Sequence, residues 1–192
     1  LWLRSALRVL VELERFQLRD ENHLYKMIRN IEWEKYFDVS KTIAIDATVF
    51  SDRFRNSLFV AQKSKDAIVD RFRDLEDKRP SVDLKSPDIR INVHIQKHHC
   101  TVSLDSSGES LHKRGYRVEV DKAPLSEVLA AGILGLIDYQ GKGPLIDPMC
   151  GSGTFLTEAA LYASNVPVNV FRKKRSPRNQ GDDAGGVFQD LC

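Results

Sequence analysis

Residues 144–160 read PLIDPMCGSGTFLTEAA, in which a short apolar run ends at Asp147 and leads directly into a proline, a cysteine and two glycines. The apolar run predicts a strand over 144–147, and the helix formers after the glycines predict a helix from about 152 to 163. A strongly apolar helix, SEVLAAGILGLIDY, precedes them, with Ser126 as its candidate N-cap. The order helix, strand, glycine turn, helix is typical of the start of a doubly wound α/β domain.

The glycine turn, residues 147–153, can serve several kinds of ligand. A phosphate-binding P-loop needs a lysine after its glycines, and none follows Gly153. A dinucleotide motif needs a third glycine where Leu156 stands, and an anionic pyrophosphate gains nothing from Asp147 beside it. S-adenosylmethionine fits better, because its positive amine and sulfonium are compatible with an acid at the strand end. A plain strand-to-helix turn without a ligand stays open as the alternative.

The first half of the chain alternates between helical and strand patterns. Helical spacing predicts amphipathic helices over 3–11, 21–31 and 56–78, and alternation of apolar residues predicts a strand over 43–49. Apolar residues also alternate over 89–104, and their parity flips across a short polar break. That flip is expected of an antiparallel hairpin whose strands share one buried face. Residues up to about 105 are therefore predicted to form an α+β unit.

The segment 106–123 is polar and basic and contains glycines, which predicts a boundary or linker between two domains. Basic and aromatic side chains are interleaved in it, which suits phosphate contact and base stacking on RNA. The residues predicted to make such contacts are Lys113, Arg114, Tyr116 and Arg117. The alternative is a plain linker whose arginines pair with Glu119 and Asp121.

The composition is that of an ordinary globular protein, with 42% hydrophobic and 29% charged residues in a chain of 192. A net charge of +2 is too small to indicate nucleic-acid binding, so any basic surface must be local. Three cysteines far apart in sequence indicate no disulfide framework and favour a reducing cytoplasm. A metal site at His98, His99 and Cys100 is disfavoured, because the histidines fill a hairpin turn. No apolar run reaches the roughly 20 residues of a membrane span.

Six segments together resemble the THUMP-domain RNA methyltransferases of the bacterial ribosomal guanine-N2 type. They read LWLRSALRVL, NSLFVAQKSKDAIVDRFR, DIRINVHI, SLDSSGESLHKRGYR, APLSEVLAAGIL and PLIDPMCGSGTFLTEAA, in the family's order. The resemblance covers about residues 2–163, and KDAIVD, LHKRGYR and DPMCGSGT together make it specific. It implies an α+β THUMP-like RNA-binding module followed by the start of a Rossmann-like α/β methyltransferase domain. The implied boundaries are 1–105 for the module, 106–123 for the basic linker, and 124–192 for the methyltransferase part with a mobile tail.

The resemblance also implies a chemistry. The enzyme would transfer a methyl group from S-adenosylmethionine to the exocyclic N2 of a guanine in 23S ribosomal RNA, in the cytoplasm and without a metal or a membrane. The residues that match the family's cofactor loop are Asp147, Pro148, Cys150, Gly151, Ser152, Gly153 and Thr154. The alternatives are guanine-N2 methylation of tRNA and a non-catalytic RNA-binding module with a vestigial cofactor loop. The THUMP-like half disfavours a DNA amine methyltransferase.

The sequence departs from the family in three places, the first being the family's N-terminal βαβ-like piece, which is expected before LWLRSA and is not present. Such enzymes carry a later N-P-P-[YF] loop that positions the target amine, but no Pro-Pro pair occurs here, so no catalytic residue is assigned. The acid that would hold the cofactor ribose after a second strand is also missing. Because the chain starts at a leucine and stops soon after the glycine turn, it is interpreted as an internal fragment that cannot transfer a methyl group alone.

Overall fold

The computed structural model describes residues 2–117, 125–168 and 170–172. Their contacts divide the chain into two compact units. The first unit is residues 9–108, and the second combines residues 2–8 with the described residues from 109 onward. The tail that is expected to be mobile lies, from residue 173 to the end, outside the residues that the structure describes.

The first unit is a five-stranded mixed sheet with two helices. Along the chain it contains β1 (Leu10–Gln17), α1 (Glu21–Asn30), a 3₁₀ turn (Trp33–Lys35), β2 (Thr42–Phe50), α2 (Ser57–Glu76), β3 (Ser81–Val82), β4 (Ile89–Gln96) and β5 (His99–Asp105). The spatial order of the strands is β1, β5, β4, β2, β3. β2 pairs in parallel with β4 and β3, whereas β5 pairs antiparallel with β4 and β1. The parallel pair β2 and β4 is connected through α2, because parallel neighbours need a long crossover.

The core of the first unit lies between the helices and the apolar side chains of the sheet. The inward residues of β4 and β5 are buried, which confirms the predicted hairpin and its shared apolar face. Leu24 and Ile28 of α1 and Ile68 and Phe72 of α2 are fully buried against them. The ring of Trp33 is also fully buried, and its Nε1 donates a hydrogen bond to Ile28 O at 2.8 Å.

Both helices of the first unit begin at a residue whose side chain caps them. Asp20 Oδ1 accepts a hydrogen bond from His23 N at 2.8 Å at the start of α1. Asn56 Oδ1 accepts one from Phe59 N at 3.1 Å at the start of α2. These caps satisfy backbone N–H groups that have no partner within the helix. The helices predicted over 21–31 and 56–78 are therefore confirmed.

The helix predicted over 3–11 is wrong. Leu3 and Leu7 belong to irregular chain and are 48% and 55% exposed. Residues 10–17 form β1, whose Phe16 lies in the core. The helical spacing of these apolar residues is a weak preference, and from Leu10 onward the edge of β5 offers backbone hydrogen bonds in its place, with an irregularity in the register between Glu12 and Glu14.

The second unit contains two helices in its described part, α3 (Glu127–Leu136) and α4 (Thr154–Ala163), as predicted. Ser126 is the N-cap of α3, although its side chain makes no capping hydrogen bond. The strand predicted over 144–147 is wrong, because these residues form irregular chain. A strand is held by a neighbouring strand, and the described part of the second unit has none to pair with it. In the described chain, no helix has both the length and the apolar character to cross a membrane.

Candidate functional site

The glycine turn ahead of α4 closes on its own backbone. Asp147 Oδ1 accepts a hydrogen bond from Met149 N at 3.1 Å, and Gly153 N donates to Cys150 O at 2.8 Å. Gly151 and Gly153 have φ values of +49° and +69°. This left-handed backbone costs a residue with a Cβ about 1–2 kcal/mol. The shape of the turn therefore favours glycine at both positions.

The space in front of the glycine turn is open. A Cβ built on Gly151 or Gly153 would meet no atom of the described structure within 4 Å. The Asp147 carboxylate is partly exposed at the start of the turn. α4 begins at Thr154 without a side-chain cap, so the first N–H groups of the helix can serve an external acceptor. A carboxylate, helix donors and little side-chain bulk together suit a small polar ligand.

Thr154 is held by Arg117. Thr154 Oγ1 accepts a hydrogen bond from Arg117 Nη2 at 3.0 Å and lies 3.2 Å from Ser152 Oγ. The same nitrogen donates to Leu125 O, and Arg117 Nε lies 3.1 Å from Glu127 Oε1 on α3. Thr154 and Glu127 are both buried. The Arg117 guanidinium therefore connects the start of α3 to the start of α4.

A second ion pair in this unit is completely buried. Arg114 Nε lies 3.4 Å from Glu158 Oε1, and both side chains are 0% exposed. Tyr116 donates its hydroxyl hydrogen to the same carboxylate oxygen at 3.0 Å. Burial raises the pKa of Glu158, although Arg114 and the Tyr116 hydroxyl act in the opposite direction. Burial and the neighbouring Glu158 also raise the pKa of Tyr116.

Arg4 caps the other end of α4. Its Nη2 donates hydrogen bonds to Leu161 O at 3.2 Å and to Val166 O at 2.8 Å. Its guanidinium lies over the Tyr162 ring, 5.2 Å from the centroid. Its own carbonyl accepts a hydrogen bond from Arg114. The last carbonyls of a helix lack intrahelical donors and carry partial negative charge, so a cation at this end stabilises α4.

Family models match both units of the chain. A THUMP domain model matches residues 19–105, and a model described as RMKL-like, methyltransferase domain matches residues 114–183. The chain carries a THUMP domain followed by an RMKL-like methyltransferase domain. This order confirms the predicted fold class. The predicted domain boundaries stay a prediction, and residues 2–8 and 109–117 belong to the unit that holds the methyltransferase match.

Named relatives carry sequences similar to both domains. Ribosomal RNA large subunit methyltransferase K/L of Syntrophotalea carbinolica is 47% identical over 176 residues, which are 90% of this chain and 25% of that protein. A possible methylase from Clostridium difficile 630 is 33% identical, with a TM-score of 0.81 over 99% of this chain and 50% of that one. The methyltransferase structure SMU.472, complexed with SAH, is 28% identical, with a TM-score of 0.77 over 100% of this chain and 52% of that one. The chain thus spans between a quarter and about half of the length of these relatives.

The seven residues predicted to bind the cofactor lie together in the methyltransferase domain. They form the glycine turn itself and the first position of α4. Their open front and the half-buried Asp147 are compatible with that role, because no described side chain comes within 4 Å of a Cβ built on Gly151 or Gly153. Direct contact between these residues and a cofactor stays a prediction.

The four residues predicted to contact RNA are not equivalent in the structure. Lys113 is exposed, and RNA contact by this side chain stays a prediction. Arg114 is only 1% exposed, so its predicted contact with RNA phosphates is corrected to a buried ion pair with Glu158. The alternative partners considered for the arginines, Glu119 and Asp121, lie outside the described residues.

The ion pairs that these basic residues form with two helix acids do not follow from the sequence patterns alone. Glu127 and Glu158 each stand within an apolar helix of the methyltransferase domain and are 3% and 1% exposed. Tyr116 and Arg117 are half-buried and direct polar atoms at them. A carboxylate in the buried stripe of a helix indicates a partner of opposite charge, and that signal is present in the sequence.

Cys100 of the THUMP domain differs from the neighbouring histidines in its exposure. Cys100 lies in the core, where burial raises the pKa of its thiol to about 12, whereas His98 and His99 are exposed at the hairpin turn. Across the residues that the structure describes, no group of three His, Cys, Asp or Glu side chains is placed to hold a metal ion.

Proposed function

We propose that this protein serves in the methylation of ribosomal RNA in the cytoplasm, with S-adenosylmethionine as the methyl donor bound at the glycine turn. The observation that carries the proposal is the turn itself, in which an acid, two left-handed glycines and a helix start face open space. The similarity to ribosomal RNA large subunit methyltransferase K/L supports it. The likeness to a methyltransferase complexed with SAH supports the same ligand class.

The residues of the turn fit that donor. The Asp147 carboxylate can accept hydrogen bonds from an amine or from hydroxyl groups. Gly151 and Gly153 allow close approach to the main chain, and the N-terminal N–H groups of α4 can donate to a carboxylate. When bound, S-adenosylmethionine supplies an activated methyl group on its sulfonium. A phosphate ligand is disfavoured, because residues 144–160 contain no lysine or arginine and Asp147 would repel it.

The acceptor that we propose is the exocyclic N2 amine of a guanine in 23S ribosomal RNA. The names of the K/L relatives support large-subunit ribosomal RNA. The N2 position rests on the resemblance of DPMCGSGT and LHKRGYR to the guanine-N2 enzymes. The THUMP domain would hold the RNA substrate, and the glycine turn would hold the donor. No residue is assigned to the transfer step, since the 192 residues contain no N-P-P-[YF] loop.

Titration calorimetry with S-adenosylhomocysteine tests the cofactor assignment. The full-length protein used for it is this chain extended through a complete α/β methyltransferase domain. We expect the wild-type protein to bind and Asp147→Ala to lower the affinity at least about tenfold, because charged hydrogen bonds are lost. Asp66→Ala, which removes an exposed acid of α2, is the matched control and should leave the affinity unchanged. If the wild-type protein binds RNA but not S-adenosylhomocysteine, the chain is a non-catalytic RNA-binding module instead.

Nucleoside mass spectrometry tests the acceptor. A version of the chain extended through a complete α/β methyltransferase domain should yield labelled N2-methylguanosine from 23S ribosomal RNA and isotopically labelled S-adenosylmethionine, whereas the 192 residues alone should not. Label that enters tRNA only would transfer the proposal to tRNA. Label in a nucleoside other than guanosine would refute the N2 assignment while leaving the cofactor assignment intact.

A further inference from the structure

Arg117 has a position that neither the linker nor the RNA interpretation explains. It stands 37 residues before Thr154, yet its Nη2 donates to Thr154 Oγ1 at 3.0 Å. Its Nε lies 3.1 Å from Glu127 Oε1. Thr154 is the first residue of α4 and follows Gly153 of the glycine turn directly. Fixing the Thr154 side chain therefore fixes the C-terminal end of the turn.

We propose that Arg117, oriented by Glu127, is a positioning residue for the methyl donor: it anchors Thr154 and thereby holds the glycine turn in its open shape. This inference rests on the proposed function of the turn as the S-adenosylmethionine site. It assigns Arg117 a role inside the methyltransferase domain, without contact between Arg117 and the donor.

Burial gives these contacts their strength. Glu127 and Thr154 are each 3% exposed, and the Arg117 side chain is 19% exposed. A hydrogen bond from a guanidinium is stronger than a neutral one, and it gains further where water is excluded. Arg117 Nε and Glu127 Oε2 both lack a hydrogen-bond partner among the described residues, so the 3.1 Å contact between Arg117 Nε and Glu127 Oε1 is a charge contact and not a hydrogen bond. The charge of Glu127 is therefore balanced chiefly by Arg117 and holds that side chain in place.

The glycine turn needs such an anchor. Its own hydrogen bonds join Asp147 to Met149 and Gly153 to Cys150, and no side chain in the described structure caps α4. Two glycines in one short turn give the backbone wide conformational freedom. A contact from outside the turn restricts that freedom before the ligand arrives. A site held in its bound shape binds more tightly, since less ordering remains to be done on binding.

Arginine suits this role better than lysine. Two different nitrogens of Arg117 make these contacts: Nε lies 3.1 Å from Glu127 Oε1 as an ion pair, and Nη2 donates hydrogen bonds to Leu125 O and Thr154 Oγ1. Lysine keeps the charge but has a single nitrogen, so it cannot satisfy the acid and the hydroxyl in the same geometry. Arg117→Lys therefore removes the anchor with little change in charge or volume.

The test measures S-adenosylhomocysteine affinity by calorimetry for the full-length wild-type protein, Arg117→Lys, Thr154→Val and the double variant. We expect Arg117→Lys to weaken binding about tenfold, a typical loss for a hydrogen bond to a charged group. In the Thr154→Val background the same change should weaken binding less than about twofold, because the acceptor of Arg117 is already gone. If Arg117→Lys weakens binding equally in the wild-type and Thr154→Val backgrounds, or in neither, the proposal is overturned.

Arg114→Lys is the matched control within the same unit. It perturbs the buried pair with Glu158 and removes the guanidinium hydrogen bonds to Leu111 O and Arg4 O, but it touches neither Thr154 nor the glycine turn. We expect a lower melting temperature and an affinity within about twofold of the wild type. If Arg114→Lys weakens binding as much as Arg117→Lys does, the effect is general destabilisation and the proposal is overturned.

Two further outcomes separate this inference from the proposed function. If Arg117→Lys does not fold, Glu127→Gln replaces it in the same cycle and should weaken binding in the same direction, with the same dependence on Thr154. If the wild-type protein binds S-adenosylhomocysteine and neither Arg117→Lys nor Glu127→Gln changes the affinity, the positioning role is overturned and the proposed function is not. A wild-type protein without affinity for S-adenosylhomocysteine overturns the function of the turn and this inference with it.

Discussion

Glu158 shows how a single residue of the methyltransferase domain depends on its neighbours. One carboxylate oxygen meets both Arg114 and Tyr116, and the other, Oε2, has no hydrogen-bond partner among the described residues. The side chain has no exposed surface, so desolvation outweighs the pull of Arg114 and raises the pKa of this carboxyl. Replacing Arg114 would leave a buried carboxylate without its cation, which is more destabilising than losing a surface pair.

The raised pKa of Glu158 makes stability depend on pH. At pH values between the ordinary value of 4.5 and the raised value in the folded state, the folded protein binds a proton that the unfolded chain releases. The stabilisation from this proton is complete below the ordinary pKa and is lost as the pH rises through the folded pKa. We expect Glu158→Gln to gain stability relative to the wild type as the pH rises across this window. Melting temperatures from pH 4 upward measure it, with the exposed Glu76→Gln as control. A constant difference between Glu158→Gln and wild type would contradict the expectation.

The two described cysteines should differ in reactivity. Burial raises the pKa of Cys100 to about 12, whereas Cys150 is exposed in the glycine turn. We expect iodoacetamide at pH 8 to label Cys150 in the native protein and Cys100 only after unfolding, since the thiolate is the reactive form. S-adenosylhomocysteine at ten times its Kd should slow Cys150 labelling about tenfold if bound ligand covers the turn. Peptide mass spectrometry separates the sites, and undiminished labelling of Cys150 would show that the ligand lies elsewhere.

At the scale of elements, local sequence patterns predict the helices and the hairpin, because contacts between residues close in sequence stabilise these elements. The helices α1 and α2 follow from the helical spacing of their apolar residues, and the hairpin β4–β5 follows from the parity of its apolar residues. The helix predicted over 3–11 overlaps only the first two residues of β1, and β1 itself could not be predicted because its partner, β5, lies far along the chain. The strand predicted over 144–147 fails for the same kind of reason, since strands depend on partners that a local pattern does not contain.

The candidate site was predictable to the same extent. The glycine turn could be located from DPMCGSGT, because the residue types and their order carry the backbone requirement. The anchor from Arg117 to Thr154 could not be located, because its two residues are 37 positions apart. From the buried acids Glu127 and Glu158 one can predict only that each has a cationic partner, and not which residue it is.

Two glycines on neighbouring elements should respond in opposite ways to alanine. Gly132 lies inside α3 with open space around a built Cβ, so Gly132→Ala should stabilise the helix by about 0.5–1 kcal/mol. Gly153 has an equally open Cβ position but a φ of +69°, so Gly153→Ala should cost about 1–2 kcal/mol. Thermal or urea unfolding measures both changes. Equal effects in the two variants would contradict the left-handed backbone at Gly153.

At the scale of the whole molecule, the two compact units each bury their own side chains. Phe72 lies in the core of the THUMP domain, 5.2 Å from the ring of Phe37. The ion pairs around Arg114 and Arg117 lie within the other unit. A substitution that destabilises the core of the THUMP domain should therefore leave ligand binding by the other unit unchanged.

Phe72→Ala tests this separation. Removing a fully buried phenylalanine should destabilise the THUMP domain by about 3–5 kcal/mol. Scanning calorimetry should show a lower transition for that domain, while the affinity for S-adenosylhomocysteine stays that of the wild type. Phe50→Ala, at a side chain that is 65% exposed, is the control and should change stability by less than about 0.5 kcal/mol. A loss of cofactor affinity in Phe72→Ala would show that the two units depend on each other.

The chain enters and leaves the first unit at neighbouring points, which makes that unit exchangeable as a whole. Val9 N donates to Ser107 Oγ at 2.6 Å, and Ser106 N donates to Val9 O at 3.0 Å, so the two termini of that unit are adjacent. The stretches on either side of it, residues 2–8 and those from 109 onward, are grouped together in the other unit. The first unit is therefore built as an insert with neighbouring ends, a form that recombination can exchange as one cassette. A graft at this place has two chain junctions, before residue 9 and after residue 108, and because they lie side by side a replacement unit with adjacent termini could be joined there without altering the glycine turn.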